Sequence, residues 1–165
     1  MRQRFTFARM AVVEIYTDGA ARGNPGRGGY GVILKYGPTE KELSQGYRLT
    51  TNNRMELMAV IAGLEAIKKH GIPVTIYSDS KYVVEAIRQG WLWGWEKKDF
   101  AKKANPDLWK RYIVLHKKFH PEFVWVKGHA GHPQNERCDQ LAVAAAQDFD
   151  LLVDEGYEES LRNKG

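Results

Sequence analysis

The sequence predicts an α/β domain, a mixed sheet with helices packed on it, and three observations carry that reading. The runs AVVEIYTDG (11–19), GYGVILKYG (29–37) and KELSQGYRL (41–49) are rich in strand-forming residues, with turn punctuation such as GPTE between them. They should pair as an antiparallel meander. From Thr51 to about Lys69 the apolar period turns helical, with Leu57, Val60, Ile61, Leu64 and Ile67 on one stripe. Two later strand-like runs, IPVTIYSDS (72–80) and EFVWVKG (122–128), alternate with helical stretches. Those stretches are KYVVEAIRQ (81–89), PDLWKRYIVLHKKF (106–119) and a third from about Asn135 to Phe149. The order βββ-α-β-α-α-β-α has no repeat and no low-complexity linker, so one domain over 12–149 is expected.

At 165 residues the chain is long enough to bury a core without covalent staples. Its single cysteine, Cys138, excludes an internal disulfide and fits a reducing compartment, so a cytoplasmic location is expected. No apolar run approaches the roughly 20 residues that span a bilayer, so no membrane partner is expected. The start, MRQRFTFAR, is Arg-rich and acid-poor, faintly like an organelle presequence. Because a strand-like run begins by Val12, residues 1–11 read as a basic extension, with Met10 as an alternative start. The last stretch, 150–165, shows no apolar face and reads as a loosely held tail.

Lys and Arg outnumber Asp and Glu by 25 to 20. That is a mild lean towards polyanions, and its distribution says more. Between Glu96 and His120 stand Lys97, Lys98, Lys102, Lys103, Lys110, Arg111, Lys117 and Lys118, against Glu96, Asp99 and Asp107.

Two strand ends carry nearly the same phrase, EIYTDG and TIYSDS, each placing an Asp (Asp18, Asp79) one residue past a hydroxyl side chain. If the strands are parallel neighbours, about 4.8 Å apart, the two carboxylates face one another, at the sheet end where α/β ligands gather. The plainer alternative makes them turn or N-cap residues. Glu56 sits at the edge of the apolar stripe. It could complete a capping box with Asn53 as N-cap, or belong to a polar cluster with Thr51, Asn52 and Asn53 suited to phosphate or sugar.

Further on, HAGHPQNERCDQ (129–140) brings His129, His132, Cys138 and Asp139 into one loop and helix start. A zinc site from these residues fits no standard structural spacing and is disfavoured. A histidine beside acids better suits proton transfer, with His132 assigned to loop packing. GRGGYG (26–31) matches the dinucleotide fingerprint, but a β-type run follows it where a helix is required, so nicotinamide binding is not expected.

Taken together, YTDGAARGNPGRGGYG, TTNNRMELMA, YSDSKYV and WVKGHAGHPQNERCDQLA resemble the signature blocks of type 1 ribonuclease H in its bacterial cellular form. The likeness runs in order from about Val12 to Gln147. The resemblance implies the RNase H-like fold, a five-stranded mixed sheet with three antiparallel strands then two parallel ones, flanked by helices. It implies an endonuclease that hydrolyses the RNA strand of RNA–DNA hybrids, leaving 5′-phosphate and 3′-hydroxyl ends. Asp18, Glu56, Asp79 and Asp139 fall on the family's metal-site carboxylates and His129 on its mobile catalytic histidine. Asn24, Thr51, Asn52 and Asn53 fall on positions that contact phosphate and sugar.

Hard oxygen ligands favour two Mg²⁺ ions, with Mn²⁺ as substitute. A basic, Trp-bearing protrusion grips the DNA strand in the family, which points to Trp91, Lys97 and Lys98. Here that segment is shorter and its tryptophans closer together than in the family form. No obligate protein partner is expected, and a monomer is. A metal-dependent 3′→5′ exonuclease, a hybrid-binding module without catalysis and a domain detached from a reverse transcriptase are the rivals. The four carboxylates and the short tails favour a free-standing enzyme.

Overall fold

The structure, a computed structural model, describes residues 12–128 and 131–164. The basic extension 1–11 and His129 lie outside the described residues. The sheet has the order β3-β2-β1-β4-β5, built from β1 (Val13–Arg22), β2 (Gly26–Tyr36), β3 (Thr39–Thr50), β4 (Val74–Ser78) and β5 (Glu122–Trp125). β1 to β3 form the anticipated antiparallel meander, while β4 and β5 run parallel to β1. This is the five-stranded mixed sheet the sequence anticipates.

Among the described residues the helices are α1 (Asn52–Glu65), α2 (Lys81–Arg88), α3 (Trp91–Lys97), α4 (Pro106–Phe119), α5 (Pro133–Ala146) and α6 (Glu155–Lys164). None is long and apolar enough to cross a membrane. Strand alternation sends Val13, Ile15 and Val32 into a core with α1 and α4, where Leu57, Ile61, Leu64, Trp109 and Tyr112 are fully buried. Tyr16 and Ile33 point to the other face and meet Cys138 of α5. The molecule is thus a sheet sandwiched between α1 with α4 on one face and α5 on the other.

Several boundaries differ from the expectation, each for a local reason. α1 is capped by Thr51, whose hydroxyl accepts from the Arg54 amide at 3.2 Å, so the capping box with Asn53 as N-cap does not form. Glu56 therefore sits beyond the first three helical positions and is released from capping. α5 starts two residues earlier than anticipated, with Pro133 in its first turn, where its fixed φ suits the helix and its missing N–H costs nothing. β1 does not stop at Asp18; its pairing with β4 ends at Tyr16 and Tyr77, while its pairing with β2 continues to Arg22.

The final stretch departs most. Leu152 bonds both ways with β3, its amide to Gly46 O at 3.0 Å and its carbonyl from Arg48 N at 2.9 Å, and α6 follows. α6 buries no residue of its own, which is why no apolar pattern announces it. Its tether is polar: buried Asp154 and the Arg48–Glu158 pair at 2.8 Å.

The glycine run in β2 has a packing reason. A Cβ on Gly31 would lie 2.2 Å from the Cys138 carbonyl oxygen, so α5 approaches the strand closely only because nothing projects there. Gly31→Ala should destabilise the protein by about 1–3 kcal/mol, read as a lower midpoint in urea unfolding at unchanged slope. A change below about 0.5 kcal/mol would contradict this account of the β2–α5 packing.

Candidate active site

Where β1 and β4 part, the sheet opens a crevice. Asp18 follows the last β1–β4 pair by two residues, and Asp79 follows the end of β4. At the last β1–β4 pair the Tyr16 and Tyr77 rings stack with centroids 4.7 Å apart. Gly19 has no Cβ, and one built there would stand 2.3 Å from Met55 C and 2.4 Å from Glu56 N. The strand backbone therefore lies against α1, and Glu56 reaches over the strand to meet the aspartates. Carboxylate oxygens of Asp18, Glu56 and Asp79 lie within 4.8 Å of one another. Asp139 of α5 lines the same crevice, close enough to share a hydrogen bond with Asp18 when one of them carries a proton.

Such crowding has an electrostatic cost. Asp18 is 5% exposed, and burial first, then the charges of Asp79 and Asp139, push its pKa up to about 8. Burial likewise holds the Glu56 carboxyl well above the usual carboxylate range, with Asp18 and Asp79 adding to it. A divalent cation would relieve that repulsion, and an all-oxygen donor set suits a hard ion. The cluster therefore fits divalent metal binding. Cys138 does not join it: burial pushes its thiol up to about 12, and the S–H donates to Tyr16 O at 3.3 Å. Together with the exposed position of His132, this removes the zinc alternative.

Around the carboxylates, Asn52 and Asn53 line the crevice. The Asn52 side-chain oxygen accepts from Ala21 N at 2.6 Å, and its backbone amide donates to Asn24 Oδ1 at 3.1 Å. Asn24, Thr51, Asn52 and Asn53 are thus brought to one rim. Trp91 opens α3, half exposed at 49%, and lines an adjoining groove with Tyr82, Trp95 and Lys103. Lys97 and Lys98 close α3 on the surface, away from the carboxylates' crevice. Trp93 packs edge-on to His116 and Trp95 edge-on to Trp109, so these two serve packing. Lys81 and Tyr82 also line the crevice, which the sequence did not anticipate. Their signal was their place inside the YSDSKYV block.

Fold and crevice define a class first: an α/β protein with a site suited to divalent metal, in which carboxylates from separate elements converge at a strand fork. Likeness to known proteins narrows it. The model of the RNase H family matches residues 10–147. The ribonuclease H of Syntrophus aciditrophicus is 56% identical over 150 residues, 88% of this chain and 86% of that relative. The ribonuclease H of Rippkaea orientalis is 53% identical, covering 93% of this chain and 94% of its own. Among solved structures, LC9-RNase H1, a type 1 RNase H with the type 2 active-site motif, superposes with a TM-score of 0.74 at 33% identity, over 90% of this chain and 80% of its own. LC11-RNase H1, solved with an RNA/DNA hybrid, gives 0.62 at 26% identity, over 82% and 96%. The chain belongs to the RNase H family, as a bacterial RNase HI-like nuclease.

The raised Asp18 pKa makes a stability prediction for metal-free protein. An acid held above its unfolded value of 3.8 contributes stability below that pH and loses it as pH rises through about 8. Asp18→Asn should therefore raise the thermal midpoint in chelator at pH 8 to 9 and have little effect at pH 4. A midpoint lowered at high pH would refute the repulsion argument.

Proposed function

We propose that the chain is an endonuclease that cuts the RNA strand of RNA–DNA hybrids with two divalent ions, Mg²⁺ or in its place Mn²⁺, leaving 5′-phosphate and 3′-hydroxyl ends. What carries the reading is the convergence of Asp18, Glu56 and Asp79 within 4.8 Å at an open crevice, in a chain of this family. Held there, two such ions would supply an activated water, a polarised phosphate and stabilisation of the leaving oxygen. Asp18 would help hold the ions together with Asp139 towards the attacking water and with Glu56 and Asp79 towards the leaving oxygen. His129 would move a proton near neutral pH or help product depart, a role resting on the family resemblance.

The substrate class is carried over from the hybrid bound by LC11-RNase H1. This chain's own residues suit it. Since the Asn52 oxygen is already taken by Ala21, its amide N–H groups are left to donate to a 2′-hydroxyl or a phosphate oxygen. Trp91, Lys97 and Lys98 would hold the DNA strand. Cytoplasmic residence and a monomeric state belong to the same reading.

A labelled RNA strand annealed inside a longer DNA, given Mg²⁺, tests this directly. Internal cuts are expected from the wild type, none from Asp18→Asn, and slowed cutting from His129→Ala. Equal and total loss in both variants would refute this division of roles. Cuts only at free 3′ ends would indicate an exonuclease, and tight binding without cutting under any divalent ion a binding module.

Replacing Lys97 and Lys98 by Ala should weaken hybrid binding and flatten its logarithmic salt slope by about one for each phosphate no longer neutralised. An unchanged slope would take both lysines out of the interface.

A further inference from the structure

Arg54 lies two residues before Glu56, hence on the opposite side of α1, and it is buried at 2% exposure. All five of its N–H donors are engaged. Nε and Nη2 donate to Asp154 at 2.8 Å each. Nη1 and Nη2 donate to Asp107 at 2.9 and 2.7 Å, and Nη1 also reaches Asn105 Oδ1 at 3.2 Å. Asp154 is itself saturated from elsewhere, by Thr50 Oγ1 at 2.7 Å and by the Tyr157 amide at 3.3 Å at the start of α6.

This network reaches the crevice along two routes. One is α1 itself, where Asn52 and Asn53 precede Arg54 in the first turn and Glu56 follows it two residues on. The other runs through Asn105, whose Nδ2 donates to the Tyr82 hydroxyl at 3.0 Å, a hydroxyl that also takes Trp109 Nε1 at 2.9 Å. Tyr82 and Asn52 both line the crevice. One guanidinium plane therefore sets α1 and α2 relative to each other, and the C-terminal segment clamps that plane through a single bidentate carboxylate.

We propose that Asp154 is a positioning residue for substrate binding: by locking Arg54 it holds the α1 rim and Tyr82 at the separation the nucleic-acid backbone requires. The inference rests on the proposed function, since the ligand it positions for is the hybrid. Removing the Asp154 carboxylate leaves a buried guanidinium with two donors unpaired. The remaining partners, Asp107 and Asn105, both lie on one side of the plane, so the plane, and with it Asn105 and the first turn of α1, should shift.

The test is steady-state kinetics on the internal hybrid, well below every variant's thermal midpoint, for wild type, Asp154→Ala and Ile67→Ala. Ile67 packs against the core past the far end of α1 and serves as a stability control. Asp154→Ala should raise KM about fivefold with kcat within about twofold, the signature of lost ground-state and transition-state binding together. Ile67→Ala should lower the midpoint with KM unchanged. Should Asp154→Ala not fold, Asp154→Asn keeps the volume while turning a donor towards Arg54, and the same KM rise is expected. An unchanged KM, or an equal rise in Ile67→Ala, overturns the proposal and leaves the proposed function standing. A wild type that does not cut the hybrid overturns both.

Discussion

Carboxylates whose oxygens approach within 4.8 Å repel one another strongly when buried, so Asp18, Glu56 and Asp79 stay together only because each is fixed by a different rigid element. Asp18 belongs to a strand paired with β2 beyond the fork, Asp79 follows a parallel neighbour, and Glu56 rides on a helix pressed against Gly19. Burial raises Asp18 and Glu56 further, because the crevice walls exclude water from charges that would otherwise be solvated. The fold stores this repulsion in its metal-free form. A cation that neutralises it gains binding free energy from the relief.

Holding such a cluster also demands order in the helix that carries Glu56. α1 has no acidic residue in its first turn and no basic one in its last, so charges at its own termini do not steady it. It is steadied by apolar burial along one side and by the Arg54 network along another. That network draws in the first turn of α4 through Asp107 and the C-terminal segment through Asp154. A buried guanidinium is costly unless every donor is met, and here every donor is met.

Much of the architecture was legible because apolar periodicity reports burial directly. The alternation in β1 and the stripe of α1 each described one buried face, and PDLWKRYIVLHKKF matches α4 residue for residue. The less legible elements lack that signal. α3 buries only Leu92, and α6 buries nothing; it is held by the Arg48–Glu158 pair and, through Asp154 just before it, by Arg54, residues about a hundred positions away. A polar tether spanning such a separation leaves no periodic trace. The cap of α1 was ambiguous for a related reason: Thr51, Asn52 and Asn53 are all competent caps, and only the path of the preceding strand selects Thr51.

For the candidate site, the sequence by itself supplied the chemistry. The repeated Tyr-hydroxyl-Asp phrase and a Glu at the edge of an apolar stripe mark Asp18, Asp79 and Glu56 as carboxylates placed beside a core. Local rules bring those residues to strand ends and helix faces, and the resemblance links them in one set. Tertiary structure alone decided that they converge. Convergence depends on the parallel register of β1 with β4, on the missing Cβ at Gly19 and on the packing of α1 against its neighbours. Each is a long-range geometric relation, and no local stretch of sequence encodes a distance between residues sixty positions apart.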